Sequence, residues 1–131
     1  MLTAALLCLA QNIFFESRSE AIEGQIMVAE VTLNRVSAEN YPDTICGVVY
    51  QKRQFSWTHD GASDNPEKLS VTERRAWRRV KHLAFSLTLY PELLEETGAT
   101  HFHSTSVRPI WRHKLRHIKQ VGNHVFYAQK K

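Results

Sequence analysis

The sequence lacks most of the features that would mark a specialised class. No apolar run approaches the roughly 18 residues that a membrane-crossing helix needs, so no membrane insertion is expected. Five glycines and four prolines in 131 residues are too few for a collagen-like or low-complexity chain. No internal repeat or linker composition divides it. Two cysteines do not make a disulfide framework. There is no Cys-x-x-Cys pair, no G-x-S-x-G elbow and no glycine-rich phosphate loop, which removes the usual signals for structural zinc, serine hydrolysis and nucleotide binding. What remains is 43% hydrophobic and 23% charged, ordinary for a soluble globular protein. Length predicts one domain over residues 1–131, hiding about two thirds of its unfolded surface.

Both cysteines sit among apolar neighbours, Cys8 after Leu6-Leu7 and Cys46 before Gly47-Val48-Val49. The reading they favour is two small buried hydrophobes in a chain made in a reducing compartment, with a Cys8–Cys46 pair as the open alternative. Residues 1–10 are apolar like part of a signal peptide, but no positive charge precedes them and no small-residue cleavage site follows. They are expected to fold as a helix in a protein made in the cytoplasm.

Charge is uneven. Residues 1–66 hold four basic and eight acidic residues, and residues 67–131 hold thirteen and five, balances of −4 and +8 that sum to the net +4. The basic half suits nucleic acid, an anionic membrane or an acidic polymer, and equally a solvated surface. In residues 74–81 the arginines share a helix with Trp77, Val80 and Ala84, as any amphipathic surface helix would arrange them. No nucleic-acid partner is expected. The rival reading is a non-catalytic module that uses this face to bind polyanions.

Helical spacing dominates the first two thirds. Leu2, Leu6, Leu9 and Ile13 predict a helix over 3–16. Ile22, Ile26, Ala29, Leu33 and Val36 predict a second over 21–38, with Glu20 and Glu23 near its positive N-terminal end. It should stop before Asn40-Tyr41-Pro42. Asp43 and Thr44 can cap a short third helix carrying Ile45, Val48 and Val49. Residues 51–66 read as loop. Ser70-Val71-Thr72-Glu73 is a capping box ahead of a fourth stripe, Trp77, Val80, Ala84 and Leu87, ended by Pro91. After Gly98, residues 99–103 read as a strand, with further strand around the Gly122-Asn123 turn. Helices followed by a small patch of strands predict an α+β fold, mainly helical with a small C-terminal antiparallel sheet.

Seven histidines raise the question of a metal. His101 and His103 would share a strand face, and His113 with His117 has i, i+4 spacing. The Glu of the metalloprotease helix motif is missing, although a carboxylate from elsewhere could complete a site. The reading favours no metal and no cofactor. The carboxylates say more. Glu16 follows two phenylalanines at the end of the first apolar helix, and partly apolar surroundings raise a carboxyl's pKa. That is what a general acid working near neutral pH requires.

Around Glu16 the sequence resembles the cell-wall hydrolases related to bacterial spore-cortex-lytic enzymes. The ordered pieces are Glu16-Ser17-Arg18-Ser19-Glu20, Glu23-Gly24-Gln25, Leu33-Asn34-Arg35-Val36, Ile45-Cys46-Gly47-Val48-Val49-Tyr50, Gln54-Phe55-Ser56-Trp57, Ala99-Thr100-His101-Phe102-His103 and Gly122-Asn123-His124-Val125-Phe126. No single piece is decisive, but the ordered set is specific. Two departures are Glu30, where the family is usually apolar, and Ser104, where many members have Asn. Glu30 is either paired in the cleft floor or turned to solvent.

The resemblance implies a lysozyme-like fold, near the lytic transglycosylases and resuscitation-promoting factors. It implies cleavage of peptidoglycan glycan strands between N-acetylmuramic acid and N-acetylglucosamine, with Glu16 as the catalytic acid. A one-carboxylate transglycosylase route is favoured, and a two-carboxylate muramidase is the alternative. Sugar binding needs aromatic faces with amide and hydroxyl groups. Tyr50, Gln54, Phe55, Ser56 and Trp57 supply them in one run, with His103 and Tyr127 on the opposite wall. His124 and Phe126 are expected to pack. The setting this suggests is a monomeric phage endolysin or wall-remodelling enzyme, delivered to the wall by a route such as a holin.

Overall fold

The computed structural model describes residues 3–51 and 70–130, and the helical periodicity of the sequence emerges there at nearly the expected positions. Helix α1 is Ala4–Ser17, α2 Ile22–Val36, α3 Ile45–Val49 and α4 Val71–Leu89; the strands are β1 His101–Ser104, β2 Leu115–Val121 and β3 His124–Gln129. Side-chain caps fix three of the helix starts. Thr3 accepts from the Leu6 N–H, Thr44 from Gly47 and Ser70 from Glu73, each satisfying a donor that the first turn leaves unpaired. None of these helices is long and apolar enough to cross a membrane.

Helix α1 packs its Leu9, Ile13 and Phe14 against Trp77, Val80, Leu83, Ala84 and Leu87 of α4. The Phe14 and Trp77 rings meet edge to face at 5.6 Å, and each large side chain buried here contributes about 1.5–3 kcal/mol. A second cluster joins Met27, Val28 and Val31 of α2 to Ala99 and Phe126. Helix α2 therefore lies between the α1–α4 layer and the sheet. That position explains why its expected single stripe fails. Met27, Val28, Ala29, Val31 and Thr32 are all fully buried, whereas Ile22, first of the expected stripe, is 64% exposed. A helix surrounded by protein has no solvent face for a stripe to oppose.

The sheet has strand order β1-β3-β2, antiparallel throughout. Phe102 faces Phe126 across β1 and β3, on the side turned to the helices, while His101 pairs with Tyr127 on the other. A bulge between His117 and Lys119 shifts the β2–β3 register. His113 lies in a short 3-10 turn, Ile110–Lys114, ahead of β2. The i, i+4 pair His113 and His117 is thus not on one helix, which removes that candidate metal pair.

The cysteine reading is overturned. Cys8 and Cys46 form a disulfide with Cα atoms 5.3 Å apart, across a sequence separation of 38. It ties α1 to α3, and in the chain-entropy account a loop of this length stabilises the fold by about 4 kcal/mol. Cys8 is buried as expected of a hydrophobe and Cys46 only partly so, and the two serve as a covalent staple. The support that unpaired cysteines would have given to a reducing compartment goes with that reading.

Candidate active site

Glu16 stands in the last turn of α1, half-buried, directly after Phe14 and Phe15. Burial pushes its pKa up to about 7, opposed by the positive charge of Arg35. Near neutral pH the carboxyl is divided between its acid and base forms, so it can give a proton and take one back.

Arg35 is the charge that links the site together. It lies in the last turn of α2 and is only 4% exposed. Its Nε donates to the Thr100 carbonyl at 2.7 Å, and its guanidinium sits 5.0 Å from the centre of the Tyr41 ring. Burial lowers its pKa, while Tyr41 and Glu16 raise it. His101, next along the chain from Thr100, is driven down to about 4 by burial and then by Arg35, so it is neutral at pH 7. Glu16 on α1 and His101 on β1 thus feel the same buried cation, one from each wall.

The motif pieces noted in the sequence are structural contacts around this acid. Gln25 donates its Nε2 hydrogen to the Ser17 carbonyl at 3.1 Å, anchoring the chain just after Glu16. Arg18 reaches Glu73 of α4 at 3.4 Å and lies over the Phe14 ring. Asn34 donates to the Ala99 carbonyl at 2.7 Å, which with the Arg35 bond to Thr100 fastens the chain leading into β1.

Glu20 goes beyond its expected role. It lies just ahead of the α2 N-cap, as expected, but it is also engaged across the fold. Its carboxylate accepts from the Asn123 N–H at 2.8 Å and lies 3.3 Å from His124 Nδ1, with both side chains 11% exposed. Gly122 closes this contact. Its φ is +56°, and a Cβ there would sit 2.9 Å from Glu20 Oε1. The Glu20 and Gly122-Asn123 motifs, far apart in sequence, therefore form one joint. Glu23 does lie in the first turn of α2, and it shares Lys119 with Glu95.

Glu30 is paired and does not turn to solvent. It is 1% exposed. Oε1 accepts from the N–H groups of Glu95 and Glu96 at 2.9 and 3.0 Å, and Oε2 accepts from Thr97 N–H at 2.8 Å and from the Thr97 hydroxyl. Glu96 has a φ of +57°, a left-handed turn that aims successive N–H groups at one point to make an anion nest. Glu20, Glu23 and Glu30 are all committed to holding the fold together.

The expected binding residues are placed as follows. Tyr50 ends α3, 43% exposed, its hydroxyl donating to Gln11 Oε1 at 2.6 Å. Gln54, Phe55, Ser56 and Trp57 lie outside the described residues. His103 stacks on Tyr127 with ring centres 5.4 Å apart. His103 Nδ1 is 2.8 Å from the Ser104 carbonyl and Nε2 is 2.9 Å from the Tyr127 hydroxyl. A carbonyl only accepts, so in the neutral ring Nδ1 carries the hydrogen and the Tyr127 hydroxyl donates to Nε2. Tyr127 is 6% exposed, covered by Trp111, which also touches His101 and His103. Phe126 is fully buried and His124 nearly so, between Phe102 and Phe126, as expected of packing residues. Sequence reading quoted Arg35 only as part of a motif and did not single out Trp111 or Gln11. Arg35 carries no local signal of its own, since a base in the last turn of α2 is what the helix dipole favours. No group of three or more His, Cys, Asp or Glu that could hold a metal occurs among the described residues.

Residues 19–127 match the family model described as Cell Wall Hydrolase. The chain belongs to the cell wall hydrolase family. Glu16 stands just ahead of the matched segment. Among similar curated proteins, the spore cortex-lytic enzyme of Bacillus subtilis (strain 168) is 38% identical over 123 residues, which is 90% of this chain and 35% of that protein. The spore cortex-lytic enzyme of Oceanobacillus iheyensis is 26% identical over 123 residues, 90% of this chain and 39% of that protein. The chain spans well under half the length of these relatives. The catalytic domain of the germination-specific lytic transglycosylase SleB from Bacillus anthracis superposes with a TM-score of 0.69 at 24% identity, over 96% of both chains. The catalytic domain of Bacillus cereus SleB gives 0.63 at 26% identity, over 97% of this chain and 92% of that one. The fold of this family member is accordingly lysozyme-like α+β, helices first and a small antiparallel sheet last.

Proposed function

We propose that this domain cleaves the glycan strands of peptidoglycan between N-acetylmuramic acid and N-acetylglucosamine, with Glu16 as its single catalytic carboxyl. The observation that carries the reading is a half-buried Glu16 with a pKa of about 7, while Glu20, Glu23 and Glu30, the other acids of its motif and of α2, are each engaged elsewhere. Protonated Glu16 gives its hydrogen to the bridging oxygen as the bond to the muramic acid C1 breaks and an oxocarbenium-like centre forms. The carboxylate left behind takes the proton from that sugar's own C6 hydroxyl, whose oxygen bonds to C1. The products are a 1,6-anhydro end and a free hydroxyl on the leaving sugar, and Glu16 returns to its acid form. A two-carboxylate muramidase would need a second acid at the cleft, and Glu30 and Glu20 are bound to backbone N–H groups instead.

The spore cortex-lytic relatives favour wall remodelling over phage lysis as the setting. The Cys8–Cys46 bond supports work in an oxidising compartment outside the cytoplasm, where disulfides persist. Peptidoglycan is the partner, and no metal or cofactor takes part.

The test is the pH profile of turbidity loss in a suspension of purified sacculi, with and without EDTA. Glu16 must begin protonated, so kcat/KM should be level below about pH 7 and fall roughly tenfold per unit above it. EDTA should change nothing. A rate that climbs through pH 7, or that EDTA abolishes, would contradict the single-acid reading.

A further inference from the structure

The outer face of the sheet carries a feature that glycan cleavage itself does not use. Beside the His103–Tyr127 pair is a depression of about 210 Å³, lined by His103, Thr105, Arg108, Arg112, Gln120 and Tyr127 among others. Its position relative to the acid follows from the strand. His101 shares the field of Arg35 with Glu16, and His103 is the next residue on the same face of β1, about 7 Å further on. Both rings rest against Trp111. The depression therefore lies on the same strand as His101, a group that shares Arg35 with the acid.

Its chemistry is cationic and built to accept an anion at one side. Arg112 Nη1 donates to the carbonyls of Arg108 and Pro109 at 3.1 and 3.0 Å, which fixes the turn that presents both arginines. Neither guanidinium has an acidic partner among the described residues. A ligand that fits offers a carboxylate to the arginines.

We propose that this depression is a subsite for the peptide stem of the glycan strand, taking a free carboxylate of the stem on Arg108 and Arg112. This rests on the glycan-cleavage reading and adds a specificity to it. The stem hangs from the muramic acid, the sugar whose C1 Glu16 addresses. It carries both carboxylates and amide N–H groups, and neutral glycans without stems carry no such anion. Peptide-bearing strands are thus the preferred substrate class.

The test is equilibrium binding to the Glu16→Gln protein, which holds the strand without turning it over. The probes are two soluble glycan oligomers, one with stem peptides whose second residue has a free α-carboxylate and one with that group amidated. The free-carboxylate oligomer should bind about five- to tenfold tighter, the order of one charge-assisted hydrogen bond partly screened by water. Arg108→Ala should erase that preference while shifting the Kd for the amidated oligomer less than twofold, and Arg108→Lys should restore part of it. Arg108 is the first choice because Arg112 also holds the turn. Equal binding of both oligomers, or a preference that survives Arg108→Ala, would overturn the proposal. So would a competing poly(glycerol phosphate) bound through Arg108 with no carboxylate preference, since the anion would then be a wall-polymer phosphate. If Glu16-intact protein cleaves neither oligomer while the binding preference holds, the cleavage reading fails and the subsite stands.

Discussion

Glu16→Gln is expected to lower clearance of sacculi by at least about a hundredfold, the loss of a general acid that also serves as the base. Glutamine keeps the shape and hydrogen-bonding capacity of the side chain but has no proton to give. The same change should alter stability in a pH-dependent way. The folded pKa of about 7 lies above the usual 4.5, so the native state favours the neutral carboxyl. The resulting stability is fully present below about pH 4.5 and is lost as pH rises through 7. A shift of this size corresponds to a penalty on the order of 3 kcal/mol once Glu16 is ionised. Thermal melts should therefore show the glutamine variant more stable than the parent at pH 8 and nearly equal to it at pH 5. A variant that stays active, or one destabilised at pH 8, would mean that the burial argument has chosen the wrong acid.

Glu30→Ala should be the most damaging substitution to the fold among the acids. Four hydrogen bonds converge on this carboxylate from residues 95–97, and three of the donors are backbone N–H groups. Removing the acceptor strips four partly buried donors of their partner and leaves a void where the buried Glu30 side chain was, a loss of about 3 kcal/mol. Urea denaturation measures it directly. Glu30→Gln keeps one acceptor oxygen and should lose less, with activity per folded molecule close to the parent's. Glu30→Gln that folds at parental stability but does not cleave would instead make Glu30 a second catalytic carboxylate.

These two acids show where sequence reading works and where it stops. Local rules were enough for the caps at Thr44 and Ser70, because a cap and its N–H lie three residues apart. They were also enough for the α4 stripe, which has a true solvent face. They were enough to expect a raised pKa at Glu16, which burial produces. The failures are all long-range. Cys8 and Cys46 are 38 residues apart in ordinary apolar runs, and nothing local separates a pair from two hydrophobes. Ile22 fits a stripe by spacing, but α2 is enclosed by α1 and the sheet, so periodicity does not mark its inside. Glu20 reads as a helix-end acid until the β2–β3 turn is folded against it. Glu30 reads as an anomaly until the loop at 95–97 wraps it. The motif set was legible as a pattern; its meaning, a frame around Glu16 and Arg35, required the fold.

The most direct test of the central claim is mass spectrometry of the soluble muropeptides released from exhaustively digested sacculi. Single-carboxyl chemistry predicts muramic acid ends in the 1,6-anhydro form, lighter by one water than reducing ends, and none of them from the Glu16→Gln protein. Reducing ends as the main product would contradict the account and make the domain a two-carboxylate hydrolase.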